Sequence, residues 1–191
     1  MSVYSRSLDQ IQTSYHFSDN EMARMDYTLK VFSYELSKLC FITLFFFFIG
    51  RFEEYLICLI ALLPFRWLSG GLHLQHFWTC FLFSFLFFSL IILGLENCSL
   101  PEMAQILFLL IANISLYVIG PVTSSKRKTM TKRRYDCMRI TSSVILLIYT
   151  VAYLVMENVP HRNIIFWSII LQIIQLYCAK LVRKGEIYEK A

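Results

Sequence analysis

A histidine and a cysteine seven residues apart, His73 and Cys80, stand in the stretch Arg66-Trp-Leu-Ser-Gly-Gly-Leu-His-Leu-Gln-His-Phe-Trp-Thr-Cys80. A thiol is a weak nucleophile until a neighbouring imidazole takes its proton, and the resulting thiolate attacks carbonyl carbon at neutral pH. Seven residues of straight α-helix return to the same face but climb about 10 Å, too far for a hydrogen bond of about 3 Å. Direct pairing therefore requires the chain to turn between the two. Gly70-Gly71, just upstream, can adopt positive φ and leave amide N–H groups uncovered, as a tight turn or an oxyanion pocket needs. The spacing predicts Cys80 on the first turn of a helix, where the helix dipole favours thiolate, and His73 in the loop before it.

Other readings use the same residues. His73, His76 and Cys80 offer three metal ligands, but no fourth donor lies near them in sequence, so no metal and no cofactor is expected. In a non-enzymatic transporter or assembly factor the break would be a gate, and in the plainest case a loop whose histidines meet carbonyls or headgroups. Arg66, Ser69, His73, Gln75 and His76 are nevertheless clustered between strongly apolar stretches, and polar groups at membrane depth are costly unless they line protein or a water-filled cavity.

The elements that must position these residues are membrane helices. The chain has 191 residues, 57% of them hydrophobic and 16% charged, with seventeen Phe. That balance excludes an ordinary soluble domain. Six candidate spans fall near 33–50, 54–68, 77–95, 103–121, 140–157 and 163–182. The second is shorter than the roughly 20 residues that cross a bilayer and is interrupted by Pro64 and Arg66, so a short or re-entrant helix is expected there. Before the first span, Ser18-Asp-Asn-Glu21 has the form of a capping box, and Met22, Met25, Leu29 and Phe32 recur at helical steps, preceded by a shorter stripe of Leu8, Ile11 and Tyr15. An amphipathic helix lying on the inner leaflet is expected within residues 1–32, with a partner-binding helix as the competing reading. The fold class is thus all-α and polytopic, as one domain, 1–191, with a break at 64–80 and a basic loop at 122–139. Cys40, Cys58, Cys80, Cys98, Cys137 and Cys178 are scattered singly, which indicates neither disulfides nor a zinc knuckle. The first thirty residues lack the apolar core of a secretory leader.

Charge orients the spans, because flanking Lys and Arg stay on the cytoplasmic side. Basic residues concentrate before the first span, in the loop running from Lys126, Arg127 and Lys128 to Arg139, and in the tail, whereas the loop holding Glu96, Asn97 and Glu102 has none. Six crossings place both termini and the Arg66–Cys80 stretch inside. The basic loop has two readings, a topology signal with anionic-lipid binding or a docking surface for an acidic substrate.

Arg66, Gly70, Gly71, His73 and Cys80, with seven-residue steps from Arg to His and from His to Cys, resemble the accessory gene regulator B (AgrB) family of bacterial membrane cysteine endopeptidases, which mature peptide pheromone precursors. Gly120-Pro121 followed by Lys126-Arg127-Lys128, the length and the six-span plan agree with that layout. The resemblance implies that His73 and Cys80 are the catalytic pair. It implies as partner an AgrD-like precursor peptide with an amphipathic leader and an acidic tail, drawn to Arg66, Lys126, Arg127 and Lys128. It also implies a homodimer in the bacterial cell membrane, in contact with lipid and without nucleic acid. Gly70 and Gly71 are expected to support the oxyanion or the turn.

Overall fold

The computed structural model describes residues 18–71, 77–122, 131–155 and 161–188, with side chains described to residue 182. Among the described residues the chain is built of six helices: α1 (Asp19–Phe48), α2 (Phe52–Ser69), α3 (Phe77–Ser89, continued by a π-helical stretch Leu90–Leu95), α4 (Glu102–Ile119), α5 (Lys132–Val155) and α6 (Arg162–Tyr188). Five of them, all but α2, are long and apolar enough to cross a membrane. The all-α, polytopic class follows. The chain divides into two compact units, Met1–Phe45 and Phe46–Ala191, with the boundary inside α1.

In the first unit, one half of the capping box forms. Glu21 accepts hydrogen bonds from the Ser18 backbone N–H (2.9 Å) and from Ser18 Oγ (2.8 Å), while the Glu21 N–H bonds the Ser18 carbonyl. The first contact satisfies a donor that a helix start otherwise leaves open. The amphipathic segment and the first span are not separate elements: one helix runs unbroken for 30 residues from Asp19. Nothing between Lys30 and Ser33 can stop it, because the stretch holds neither Gly nor Pro. The earlier stripe of Leu8, Ile11 and Tyr15 lies outside the described residues.

The second unit is a bundle in which α6 is the hub. It packs on α2, on α4 and on the π-helical end of α3, while α4 and α2 both pack on α5. In the most apolar window of α6, 50% of residues are buried, against 17–28% in the other four spans. The core joins Phe65, Leu109, Ala112, Leu116, Leu146, Tyr153, Phe166, Ile169, Ile173 and Leu176. Large apolar side chains point outward elsewhere, Trp67 (81% exposed) and Trp78 (74%) among them. Exposed apolar surface this continuous is what a lipid solvent demands.

Helix ends show why α2 and α4 stop where they do. Pro64 lies inside α2 without ending it. The helix continues through Arg66 to Ser69 and ends at Gly70, with φ 76° and ψ −154°; α4 ends in the same way at Gly120, with φ 67° and ψ −176°. That region of backbone space is open essentially only to glycine. The Arg66–Cys80 stretch is therefore not one irregular break: Arg66–Ser69 belong to α2 and Phe77–Cys80 to α3. Likewise the basic segment is helical from Lys132 onward, so Arg133, Arg134 and Arg139 lie on α5, while residues 123–130 lie outside the described residues.

Candidate active site

The helices give the second unit two polar ends. At one, Arg51 of the α1–α2 connection reaches Glu54 (2.8 Å) and Glu96 (3.0 Å), and Glu96 also meets His161 Nδ1 (3.0 Å). Arg162 adds a contact to Glu102 at 3.3 Å and lies over the Tyr153 ring, 4.1 Å from its centroid. The hydrogen bond to Glu54, and then the carboxylate of Glu96, hold the Arg51 guanidinium above its ordinary pKa. Glu54, Glu96 and His161 bring ligand atoms within 4.8 Å of one another. The Arg51 cation already bridges the two carboxylates, which makes the group an ion-pair network.

Of the residues singled out by the sequence, Gly70, Gly71 and Cys80 lie toward the other end. Gly70 lies 19 residues from Arg51, about 28 Å at 1.5 Å per residue. Cys80 lies 15 residues from Leu95, which adjoins Glu96, or about 23 Å. Since Arg51 and Glu96 are bonded to each other, the Gly70-Gly71 turn and Cys80 share the opposite end of the bundle. Cys80 sits on the first turn of α3, as its position predicted, and is buried with 9% exposure. None of the six cysteines forms a disulfide.

The turn itself is held from three sides. Val122 N–H donates to the Ser69 carbonyl at 2.9 Å, and Gly70 and Val122 form an isolated parallel bridge. A Cβ on Gly70 would lie 2.3 Å from the Val122 carbonyl oxygen, so the close approach as well as the dihedral requires glycine. Gln172 Nε2 of α6 donates to the Gly70 carbonyl at 3.2 Å. Gly71 lacks the positive φ expected of it, and Gln175 Nε2 stands 3.4 Å from where its Cβ would be. Below Gly120, Lys180 Nζ and Tyr135 Oη both donate to the Ile119 carbonyl, at 3.1 and 3.5 Å.

Arg66 does not stand in a polar loop. It occupies the last turn of α2 with its guanidinium over the rings of Phe87 and Phe88, 5.4 and 5.6 Å from their centroids. Cation–π contacts of this kind hold a guanidinium against an apolar neighbour helix. His73 and His76, like Lys126, Arg127 and Lys128, lie outside the described residues. Gln172 and Gln175 were missed by the motif reading. Their signal is present in the sequence, two amides three residues apart in an otherwise apolar span, where polar side chains call for a reason.

Taken together, the fold and the site define a multi-pass membrane protein with a buried cysteine on the first turn of α3 and a glycine-only turn at the end of α2. Residues 5–176 match the family profile Accessory gene regulator B. The chain is also similar to an AgrB-like protein of Clostridium beijerinckii, 29% identical over 162 residues, covering 83% of this chain and 78% of that one. No solved structure matches. The chain belongs to the AgrB family, and with it to agr quorum-sensing peptide processing alongside an AgrD-like precursor.

Proposed function

We propose that the protein is a cysteine endopeptidase that removes the C-terminal tail of an AgrD-like precursor through an acyl-thioester on Cys80. The observation that supports this most is the placement of a buried thiol on the first turn of α3, at the same bundle end as the Gly70-Gly71 turn. His73, seven residues upstream, takes the thiol proton. The thiolate attacks the carbonyl joining the pheromone segment to the tail, and amide N–H groups at Gly70 or Gly71 steady the oxyanion. The C–N bond breaks, the imidazolium returns its proton to the leaving amine, and the acyl group remains on sulfur. A Cys or Ser side chain within the peptide then attacks the thioester, closing a thiolactone or lactone and releasing Cys80. Exclusion of bulk water favours this tethered nucleophile over hydrolysis.

In this reading the basic residues, Lys126, Arg127 and Lys128, attract the acidic tail, with Arg66 as a guanidinium partner at the site. With α2, which runs from the Arg51 end to the Gly70 end, counted as a sixth crossing, both termini and the site face the cytoplasm, the side on which flanking cations are retained. The test is co-expression with an AgrD-like precursor. Cys80→Ala and His73→Ala abolish tail release while precursor binding persists, and an acyl adduct on Cys80 of the wild-type protein is detected by intact mass. Tail release by Cys80→Ala at the wild-type rate would sink the proposal in favour of a gate or transporter.

A further inference from the structure

Gln172 and Gln175 do something that packing does not require. They lie ten and thirteen residues into α6, about 15 and 20 Å along a helix whose neighbours in sequence are Leu171, Ile173, Ile174 and Leu176. Gln172 is 1% exposed and Gln175 6%. Each has its Oε1 buried and without a hydrogen-bond partner among the described residues. An unsatisfied buried carbonyl costs stability, and more so at membrane depth, where Met or Leu would fill the same volume without that cost. The cost is incurred at one place: Gln172 Nε2 holds the Gly70 carbonyl, and Gln175 Nε2 lies against Gly71.

We infer that Gln172 and Gln175 are positioning residues of the peptidase site: an amide floor on α6 that sets the orientation of the Gly70–Gly71 peptide preceding Cys80. The inference rests on the endopeptidase reading. Ser69 and Val122 hold the turn through backbone, and among the described residues the donor to the Gly70 carbonyl is Gln172. Planarity of the peptide unit carries that constraint to the Gly71 N–H, which the parallel bridge directs toward the Val122 carbonyl, so Gln172 and Val122 together fix the peptide that leads on to Cys80. The two unsatisfied oxygens lie beside the same turn, because an amide oxygen stays fixed relative to its own nitrogen.

Gln172→Met and Gln175→Met keep the side-chain length and remove the amide. The experiment measures, on full-length protein in detergent, the single-turnover rate of Cys80 acylation by precursor, KM and Tm. In both variants the acylation rate at saturating precursor is expected to fall about 10- to 100-fold, as misplacement of a reacting group does. KM changes less than about threefold, the split that marks a transition-state interaction, and Tm is unchanged or higher. A purely structural role produces the opposite pairing, a lower Tm with the wild-type rate per folded molecule, and that outcome overturns the inference, as does an acylation rate within about twofold of wild type in both variants. Rescue is expected from Gln172→His, whose ring N–H can again donate to Gly70, and its failure with Tm intact counts against a donor role. Absence of acyl-Cys80 in the wild type removes the endopeptidase reading itself, and this inference with it, whereas a normal wild-type adduct with fully active variants removes the inference alone.

Discussion

Replacing Gly70 by alanine, with Gly71→Ala as its partner experiment, probes the geometry on which the site depends. At Gly70 the new methyl meets two penalties. The backbone, at φ 76° and ψ −154°, lies in a region that costs a non-glycine residue about 1–3 kcal/mol. The Cβ would also sit 2.3 Å from the Val122 carbonyl oxygen, a backbone atom that moves only by stretching the 2.9 Å bond from Val122 N–H to the Ser69 carbonyl. Losing that bond adds roughly 0.5–1.5 kcal/mol. A loss of about 2–4 kcal/mol is expected, or roughly 5–15 °C in Tm for a chain of this size. Gly71 has no positive φ, and its Cβ would meet only the end of the Gln175 side chain at 3.4 Å, so Gly71→Ala is expected to cost under about 1 kcal/mol. Thermal unfolding in detergent, followed by intrinsic fluorescence, reads the difference. Acylation of Cys80 measured on the same samples should fall further for Gly70→Ala than its folded fraction explains. Equal Tm losses for the two variants, or none for Gly70→Ala, would refute the close approach of Gly70 to Val122 and the glycine-only turn.

Other expectations follow from the same geometry. Gly120→Ala places a Cβ 2.1 Å from Tyr135 Oη at φ 67°, so it should destabilise by about 2–4 kcal/mol; adding Tyr135→Ala should recover the steric part and leave the backbone part, as a double-mutant cycle on Tm will show. Glu96→Ala removes the contacts to both Arg51 and His161 and should cost roughly 1–3 kcal/mol of stability, read as a lower Tm, while the acylation rate per folded molecule stays within about twofold because the network lies at the opposite end from Cys80. A large rate effect there would contradict the two-ended arrangement. Replacing Lys126, Arg127 and Lys128 together by Ala should raise KM for the precursor and flatten its dependence on salt, with kcat little changed; a KM insensitive to the replacement would assign those cations to topology alone.

Composition and periodicity alone indicated that this chain lives in lipid as a polytopic all-α protein, and that polar residues between its apolar stretches call for a functional reason. Those properties are local: a run of apolar side chains partitions into a bilayer wherever it stands in the sequence, and a capping box at Ser18 and Glu21 acts within one turn. Cys80 on a first helical turn was legible for the same reason. The extent of helix around the break was not. Pro64 and Arg66 read as interruptions, yet α2 continues to Ser69, because packing against α5 and α6 and the stacking of Arg66 over Phe87 and Phe88 outweigh local propensity. Nor could any spacing rule bring Val122 and Gln172 to Gly70, at separations of 52 and 102 residues. Such contacts exist only when whole helices have packed, since the direction of each side chain depends on how its helix is rotated against its neighbours. The residue types available for chemistry were therefore determined by the sequence, and the side chains that hold the turn beside them were decided by the tertiary structure.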